Sequence, residues 1–378
     1  MSEWKRVKLG ELLQIKKGDY ITKKDAREGI YPVILGGKEP AYYIDKFNHS
    51  GKAIVISRSG ASAGYVSFWN EAIFVTDGFL IEPKGKITYE FLYYALKGKQ
   101  TLLHKTQKGA AIPHVTPSLI SEIDFLLPNE DSQQRIATIL SRYDSLIENY
   151  QKQIKLLEES AQRLYKEWFI DFRFPGHENT KIVDGVPEGW EKKKIKNLVD
   201  LKSGYAFKSS AFVEKGKYKI VTIKNVKDGV FDGDNVSYLN SVPEKMPSHC
   251  ILQTGDILLS LTGNVGRICM VVGDNYLLNQ RVAKLESKFP AFTYCLFRHY
   301  DTFVAINNLA NGAAQQNVSP IRIGEMDMLV ANDKIMHHFE KAAENIRTNI
   351  LNLFSQIRHL TEARDRLLPK LMSGEINV

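Results

Sequence analysis

The chain has 378 residues, 43% hydrophobic and 25% charged, a balance that excludes wholesale disorder, collagen and disulfide scaffolds and leaves room for two or three compact domains. Its 51 Lys and Arg against 43 Asp and Glu give a net charge of +8, which favours an anionic partner, nucleic acid ahead of a membrane surface. Three scattered cysteines, Cys250, Cys269 and Cys295, form neither a disulfide framework nor the paired ligands of a zinc site, and no run reaches the ~20 apolar residues of a membrane helix. MSEWKRVKLGELL lacks the apolar core of a signal peptide, so the expected compartment is the reducing cytoplasm.

In chain order, Trp4-Lys-Arg-Val-Lys-Leu-Gly-Glu-Leu-Leu opens the sequence and leads to Gly18. Ala53-Ile-Val-Ile-Ser-Arg-Ser-Gly reads as a buried strand broken at a polar glycine turn. Gly109-Ala-Ala-Ile-Pro-His-Val-Thr-Pro then runs into a short strand over 123–127. Next comes a long helix: Ile136, Leu140, Tyr143, Ile147, Tyr150, Ile154, Leu157, Ala161, Leu164 and Trp168 alternate in steps of four and three, the 3.5-residue period of a coiled-coil seam.

The second half repeats these parts. Trp190-Glu-Lys-Lys-Lys-Ile-Lys-Asn-Leu-Val echoes the opening and reaches Gly204 at the same spacing; Asp256-Ile-Leu-Leu-Ser-Leu-Thr-Gly answers the buried strand. Gly312-Ala-Ala-Gln-Gln-Asn-Val-Ser-Pro matches the third stretch without a gap and leads to a strand over 326–330. The second stripe, Phe339, Ala343, Ile346, Ile350, Leu353, Ile357, Leu360, Arg364, Leu367 and Leu371, falls 203 residues after the first, position for position. Only Arg364, aligned with Ala161, interrupts it. Stripes of equal length favour pairing with each other over separate packing on each globular copy.

The expected fold is α+β. Two tandem mixed α/β domains, 1–128 and 176–330, alternate with two long helical segments, 129–175 and 331–378, which pair as an antiparallel coiled coil in a pseudo-twofold repeat. The charge excess falls in the globular copies, at +5 and +3, against −1 and +1 in the helical segments. The copies are therefore the better candidates for touching an anion.

Motifs of enzyme chemistry are missing from the sequence. No Gly-Lys pair is followed by Ser or Thr as in a phosphate loop, and no Gly-x-Gly-x-x-Gly turn occurs. The Asn/Asp-Pro-Pro-aromatic loop of amino-methylating enzymes is also absent, because no two prolines are adjacent. His337-His338 lacks the spacing of a metal pair on a helix, and Asp77 and Asp124 read as turn and strand-edge residues rather than a two-carboxylate centre. The expectation is a chain with no catalytic residue and no metal.

Three stretches carry a resemblance: Trp168-Phe-Ile-Asp-Phe-Arg-Phe-Pro-Gly, Val186-Pro-Glu-Gly-Trp190, and Arg366-Leu-Leu-Pro-Lys-Leu-Met-Ser-Gly-Glu-Ile376. With the order of parts, they make the whole chain resemble a DNA-specificity (S) subunit of a type I restriction-modification system. That resemblance implies two target-recognition domains held apart by antiparallel conserved helices, with no active site in this chain. It further implies double-stranded DNA, two modification subunits and restriction subunits as partners. S-adenosylmethionine for adenine-N6 methylation, and ATP with Mg for translocation and cutting, would sit on those partners and not on this chain.

From Ile136 to Trp168 a helix would span about 48 Å at roughly 1.5 Å per residue, comparable with about 14 base pairs at roughly 3.4 Å each. Two short half-sites with a gap fit that length, and non-identical copies imply a bipartite, asymmetric target. Residues that differ between copies are the candidates for reading bases: Lys38, Arg58, Lys105, Lys108 and His114 in the first; Asn264, Arg267, Gln280, Arg281, Gln315, Gln316 and Asn317 in the second. Arg and Lys can donate to guanine, and Asn and Gln can pair with adenine. A solvent-facing loop role stays open for each, and phosphate contact stays open for the cations. The shared Gly109-Ala110-Ala111 and Gly312-Ala313-Ala314 suit turn scaffold or backbone-to-phosphate contact, and Tyr42, Tyr43, Tyr93 and Tyr94 suit core more than base stacking. A coiled-coil scaffold whose globular repeats bind proteins rather than DNA is the alternative.

Overall fold

The computed structural model describes residues 4–22, 24, 26–35, 37, 39–60, 62–105, 114–310 and 316–378, with only the backbone of Lys105. The chain divides into two compact units, residues 1–148 with 359–378 and residues 149–358. Each therefore holds one globular copy, one end of the first long helix (Glu130–Phe169) and the opposite end of the second (Asp333–Met372).

In the first unit, Lys5–Lys8 pairs antiparallel with Asp124–Leu127 and so ties the start of the copy to its end. A four-stranded antiparallel sheet runs in the order Leu13–Lys17, Gly78–Pro83, Lys52–Ser57, Val66–Asn70. The apolar stretch at 53–57 forms a strand buried on both faces, as its continuous hydrophobicity requires. A smaller sheet sets Tyr31–Ile34 between antiparallel Tyr42–Ile44 and parallel Phe74–Val75.

The second unit repeats this topology and adds strands to it. Glu191–Lys194 pairs with Asp327–Val330, and the four-stranded sheet runs Val199–Ser203, Val282–Ser287, Ile257–Ser260, Ile268–Met270. Its second sheet again has a parallel pair, Tyr218–Val221 with Tyr276–Leu278, and carries one extra strand, Ile251–Leu252. The aligned Thr-Pro and Ser-Pro pairs have one role in both units. Thr116 and Ser319 accept hydrogen bonds from the amides of Leu119 and Arg322, with Pro117 and Pro320 in the first turn of each short helix.

Gly18 and Gly204 explain another repeated signal. At each, the chain leaves one sheet for the other: Gly18 N–H donates to Gly78 O at 3.0 Å and Gly204 N–H to Val282 O at 3.1 Å. An added Cβ would lie 2.4 Å from Val75 O or 2.3 Å from Asn279 O, so only glycine lets the two backbones approach this closely.

The long helices pair antiparallel within each unit. In the first, Ile136 and Leu140 share a core with Leu368 and Leu371, and Arg364 meets Asp144. In the second, Trp168 and Phe169 pack on Phe339, the latter pair with ring centroids 4.9 Å apart. Both units keep one register, since the step from Asp144 to Phe169 equals the step from Arg364 back to Phe339. The seam is fully buried where the globular copy packs against it; Tyr143, Leu157, Leu164, Ile346, Leu353, Ile357, Leu360 and Leu367 are half-buried.

Polar contacts lock each helix to its copy, and they differ between units. Tyr94 donates to Asp144 at 2.6 Å in the first. In the second, Tyr294 donates to Glu158 at 2.5 Å, while Glu340 accepts the amides of Ala291 and Phe292 at 2.9 and 3.0 Å, capping the helix Pro290–Arg298 from outside. Burial pushes both Glu158 and Glu340 above the ordinary carboxylate range; Arg298 and Tyr294 oppose the shift at Glu158, and the two backbone amides oppose it at Glu340.

The Trp168-to-Gly176 stretch is a hydrophobic elbow. Phe172 adopts φ 57° and Arg173 N–H bonds Glu167 O at 2.7 Å, so the chain reverses and stacks Phe169, Phe172 and Phe174 around Trp190. The second helix ends in the same way, with Ile376 N–H on Lys370 O at 3.2 Å and Gly374 against Trp4. Of the four tyrosines expected in cores, Tyr94 is buried and Tyr42 and Tyr93 are half-buried, whereas Tyr43 is 53% exposed. Tyr43 is a correction: it occupies the outward middle position of the three-residue strand Tyr42–Ile44, whose last residue, Ile44, is buried. All three cysteines are free and buried.

Gly204→Ala should lower the stability of the second unit by about 1–3 kcal/mol, the cost of forcing a methyl into a filled site. Thermal denaturation beside wild type checks this, and an unchanged midpoint would mean that the crossing backbones separate freely.

Candidate nucleic-acid interface

At the Ser57 end of the first four-stranded sheet, three distant segments converge. Arg58 N–H donates to Asp77 O at 3.2 Å and Val115 N–H to Arg58 O at 3.0 Å, while Ser59 bridges His114. The Arg58 guanidinium pairs with the Asp77 carboxylate at 2.9 Å, and Ser59 Oγ donates to the other Asp77 oxygen. Together with Lys17, at the end of the edge strand Leu13–Lys17, Arg58 and His114 line a groove of about 550 Å³ floored by Phe79 and Val115. Lys17 brings a positive charge to this lining, which also includes Ile15 and Pro117, while the charge of Arg58 is balanced by Asp77.

The second unit assembles the same three segments from different side chains. Leu261 N–H donates to Arg281 O at 3.0 Å and Val318 N–H to Leu261 O at 2.9 Å. Ladder register therefore sets Leu261 where the first copy has Arg58, Arg281 where it has Asp77, and Asn317 where it has His114. Thr262 Oγ1 donates to Asn317 Oδ1 at 2.9 Å and accepts from Arg281 Nη1 at 3.4 Å. Ser260 Oγ ties the loop by donating to Asn264 O and accepting the Arg267 amide at 3.0 Å. Gln280 N–H bonds Tyr205 O at 3.0 Å, and Gly263 N–H bonds Gln316 O at 3.0 Å. Asn264, Gln280, Arg281, Gln316 and Asn317 are exposed, and Arg267 is half-buried.

Backbone hydrogen bonds thus bring the segments that carry Asn264, Arg267, Gln280, Arg281, Gln316 and Asn317, scattered over more than fifty residues of sequence, to one end of the second sheet, where Arg281 and Asn317 share the Thr262 hydroxyl, and Arg58 and His114 line one groove in the first unit. Lys105 lies at the end of the helix Gln100–Lys105, and nothing is described of its side chain. Lys38, Lys108 and Gln315 lie outside the described residues, as do Gly109-Ala110-Ala111 and Gly312-Ala313-Ala314. Sequence reasoning passed over Lys17, read Asp77 only as a turn residue, and passed over Thr262. The signal for the last two was their place beside the glycine turns; for Lys17 it was the adjacent Gly18. Asp124 stands at a strand edge, where Lys8 holds its carboxyl below the usual range. Among the described residues, no group of His, Cys, Asp and Glu could hold a metal ion, and no helix is long and apolar enough to cross a membrane.

A family model described as the type I restriction modification DNA specificity domain matches residues 1–159 and again 187–325, one match on each copy. The chain is similar to the type I restriction enzyme MjaIX specificity subunit of Methanocaldococcus jannaschii, 28% identical over 380 residues, covering 95% of this chain and 87% of that relative. It is also similar to the MjaVIII specificity subunit of the same organism, 31% identical over 277 residues, covering 68% and 64% of the two chains. Its fold is similar to the crystal structure of a type I restriction-modification system S subunit from M. genitalium, with TM-score 0.62 at 21% identity, covering 98% of this chain and 96% of that one.

Thr262→Val removes the hydroxyl that joins the Asn317 and Arg281 segments, and Thr262 is only 2% exposed. The variant should lose about 1 kcal/mol of stability, as for one net hydrogen bond. Thermal denaturation tests this, and a loss well above that figure would mean the loop collapses.

Proposed function

The chain belongs to the type I restriction-modification DNA specificity family, whose general role is DNA sequence recognition, and we propose that it reads a bipartite, asymmetric duplex target with one loop cluster per half-site. The observation that carries this reading is the substitution pattern: one scaffold, built twice, presents Lys17, Arg58, Asp77 and His114 in one copy and Asn264, Gln280, Arg281 and Asn317 in the other. Side chains that differ on a constant backbone are what two distinct base sequences demand. Arg58 and Arg281 suit guanine edges and the Asn and Gln residues suit adenine; Lys38, Lys105, Lys108 and Gln315 remain candidates alongside them.

In this reading, residues 1–128 and 176–330 are the recognition domains, and segments 129–175 and 331–378 set the length of the gap and recruit two modification subunits. The chain itself is non-catalytic and acts in the cytoplasm. S-adenosylmethionine is used by the modification subunits, and ATP with Mg by the restriction subunits.

Exchanging residues 1–128 for the matching segment of a relative should change one half of the methylated motif and leave the other half intact. Sequencing of methylated host DNA reads this directly, and an unchanged motif would sink the proposal. Arg281→Ala should weaken binding of the native duplex by about 1–3 kcal/mol and relax one base position if it reads a base. If it only meets phosphate, binding should fall evenly over all sequences, with the salt slope reduced by about one. Adding a whole turn to both long helices should lengthen the unspecified gap in the methylated motif, and an invariant gap would count against the helices as spacer.

A further inference from the structure

The one cation in the apolar seam, Arg364, is left unexplained by DNA reading. In the first unit its Nη1 donates to Asp144 Oδ1 at 2.5 Å, its Nε to Asp365 at 2.9 Å, and Tyr94 completes Asp144 through Oδ2 at 2.6 Å. The pair is partly withdrawn from water, with side-chain exposures of 19% for Arg364 and 30% for Asp144. The 203-residue repeat maps Asp144 onto Arg347 and Arg364 onto Ala161. The shared register thus sets Arg347 opposite Ala161 in the second unit. Ala161 is buried there, and Arg347 turns its guanidinium to Glu344 with two 2.7 Å hydrogen bonds.

Two apolar stripes of equal length and phase do not by themselves tell the first helix from the second, because either would fill the other's holes. Charge does. If the first helix paired with the first helix of a second copy of this chain, Asp144 would face Ala161 twice, a carboxylate without its counter-charge. If the second paired with the second, Arg364 would face Arg347 twice, two guanidinium groups in one seam. Only the unlike pairing sets Asp144 against Arg364. We infer that this ion pair selects unlike over like helix pairing, so that the chain closes on itself instead of exchanging helices with a second copy. The inference is independent of what the loops bind.

The test uses the full chain with the pair reversed, Asp144→Arg together with Arg364→Asp. The unlike pairing keeps an ion pair, but like pairing of two second helices now gains attraction, because the carboxylate at position 364 meets Arg347. After refolding from denaturant at matched high concentrations, sedimentation velocity should show a dimer with a dissociation constant roughly tenfold lower than any wild-type self-association, the size of one modest net gain of about 1.4 kcal/mol. The neutral variant, Asp144→Ala with Arg364→Ala, should fall between the two. If the reversed chain does not fold, the neutral variant decides alone. Monomer–dimer distributions indistinguishable from wild type in whichever variants fold would overturn the inference, as would wild type dimerising as strongly as they do.

Discussion

Burial of the two apolar helix faces is the constraint on which both units depend. A 40-residue helix with alternating charges on its outer face is marginal alone, and it draws its stability from what its apolar stripe covers. Here each stripe does two jobs. Ile136 and Leu140 meet Leu368 and Leu371 while closing the core under Phe91 and Phe125; Trp168 and Phe339 meet each other while closing the core under Phe292. The helices are therefore structural members of the globular copies as well as connectors between segments of the chain. The polar locks between them, Tyr94 with Asp144 and Tyr294 with Glu158, fix orientation where aliphatic packing alone would allow sliding.

On this base, the division of labour in the copies follows from backbone geometry. Strand order, the crossing glycines and the capped Thr-Pro and Ser-Pro turns are common to both, because they satisfy hydrogen bonds and sterics that do not depend on a ligand. The side chains carried on the loops at the strand ends are free of those demands and differ. In the first copy an acid restrains an arginine; in the second a threonine hydroxyl joins an asparagine to an arginine that has taken the acid's place. Loops held by a rigid sheet can vary without disturbing the fold beneath them.

Much of this was legible beforehand. The duplication, the buried strands at 53–57 and 257–260 and the two helical stripes are all periodic signals, and periodicity survives in a one-dimensional string. Arg364 was visible as an interruption, but its partner Asp144 was not, because Asp144 lies beside the stripe and belongs to the other helix. For a similar reason Lys17 was invisible and Asp77 was legible only as a turn residue: Lys17 lines a groove, and Asp77 meets Arg58, only when distant segments of the chain converge. Tyr43 misled because a β-strand of three residues gives too short a pattern to assign its faces.

The sequence by itself determined the class of fold, the repeat, the phase of both helical stripes and the glycines at the crossings, since these follow from local sterics and from which residues avoid water. Tertiary structure alone decided which helix faces complete which core, which acid neutralises Arg58 and Arg364, and that Arg281 and Asn317 share the Thr262 hydroxyl. The physical reason is range. Propensity and periodicity act over a few residues, whereas an ion pair or a shared hydroxyl is specified by atoms brought within 4 Å from positions that the chain separates by tens to hundreds of residues.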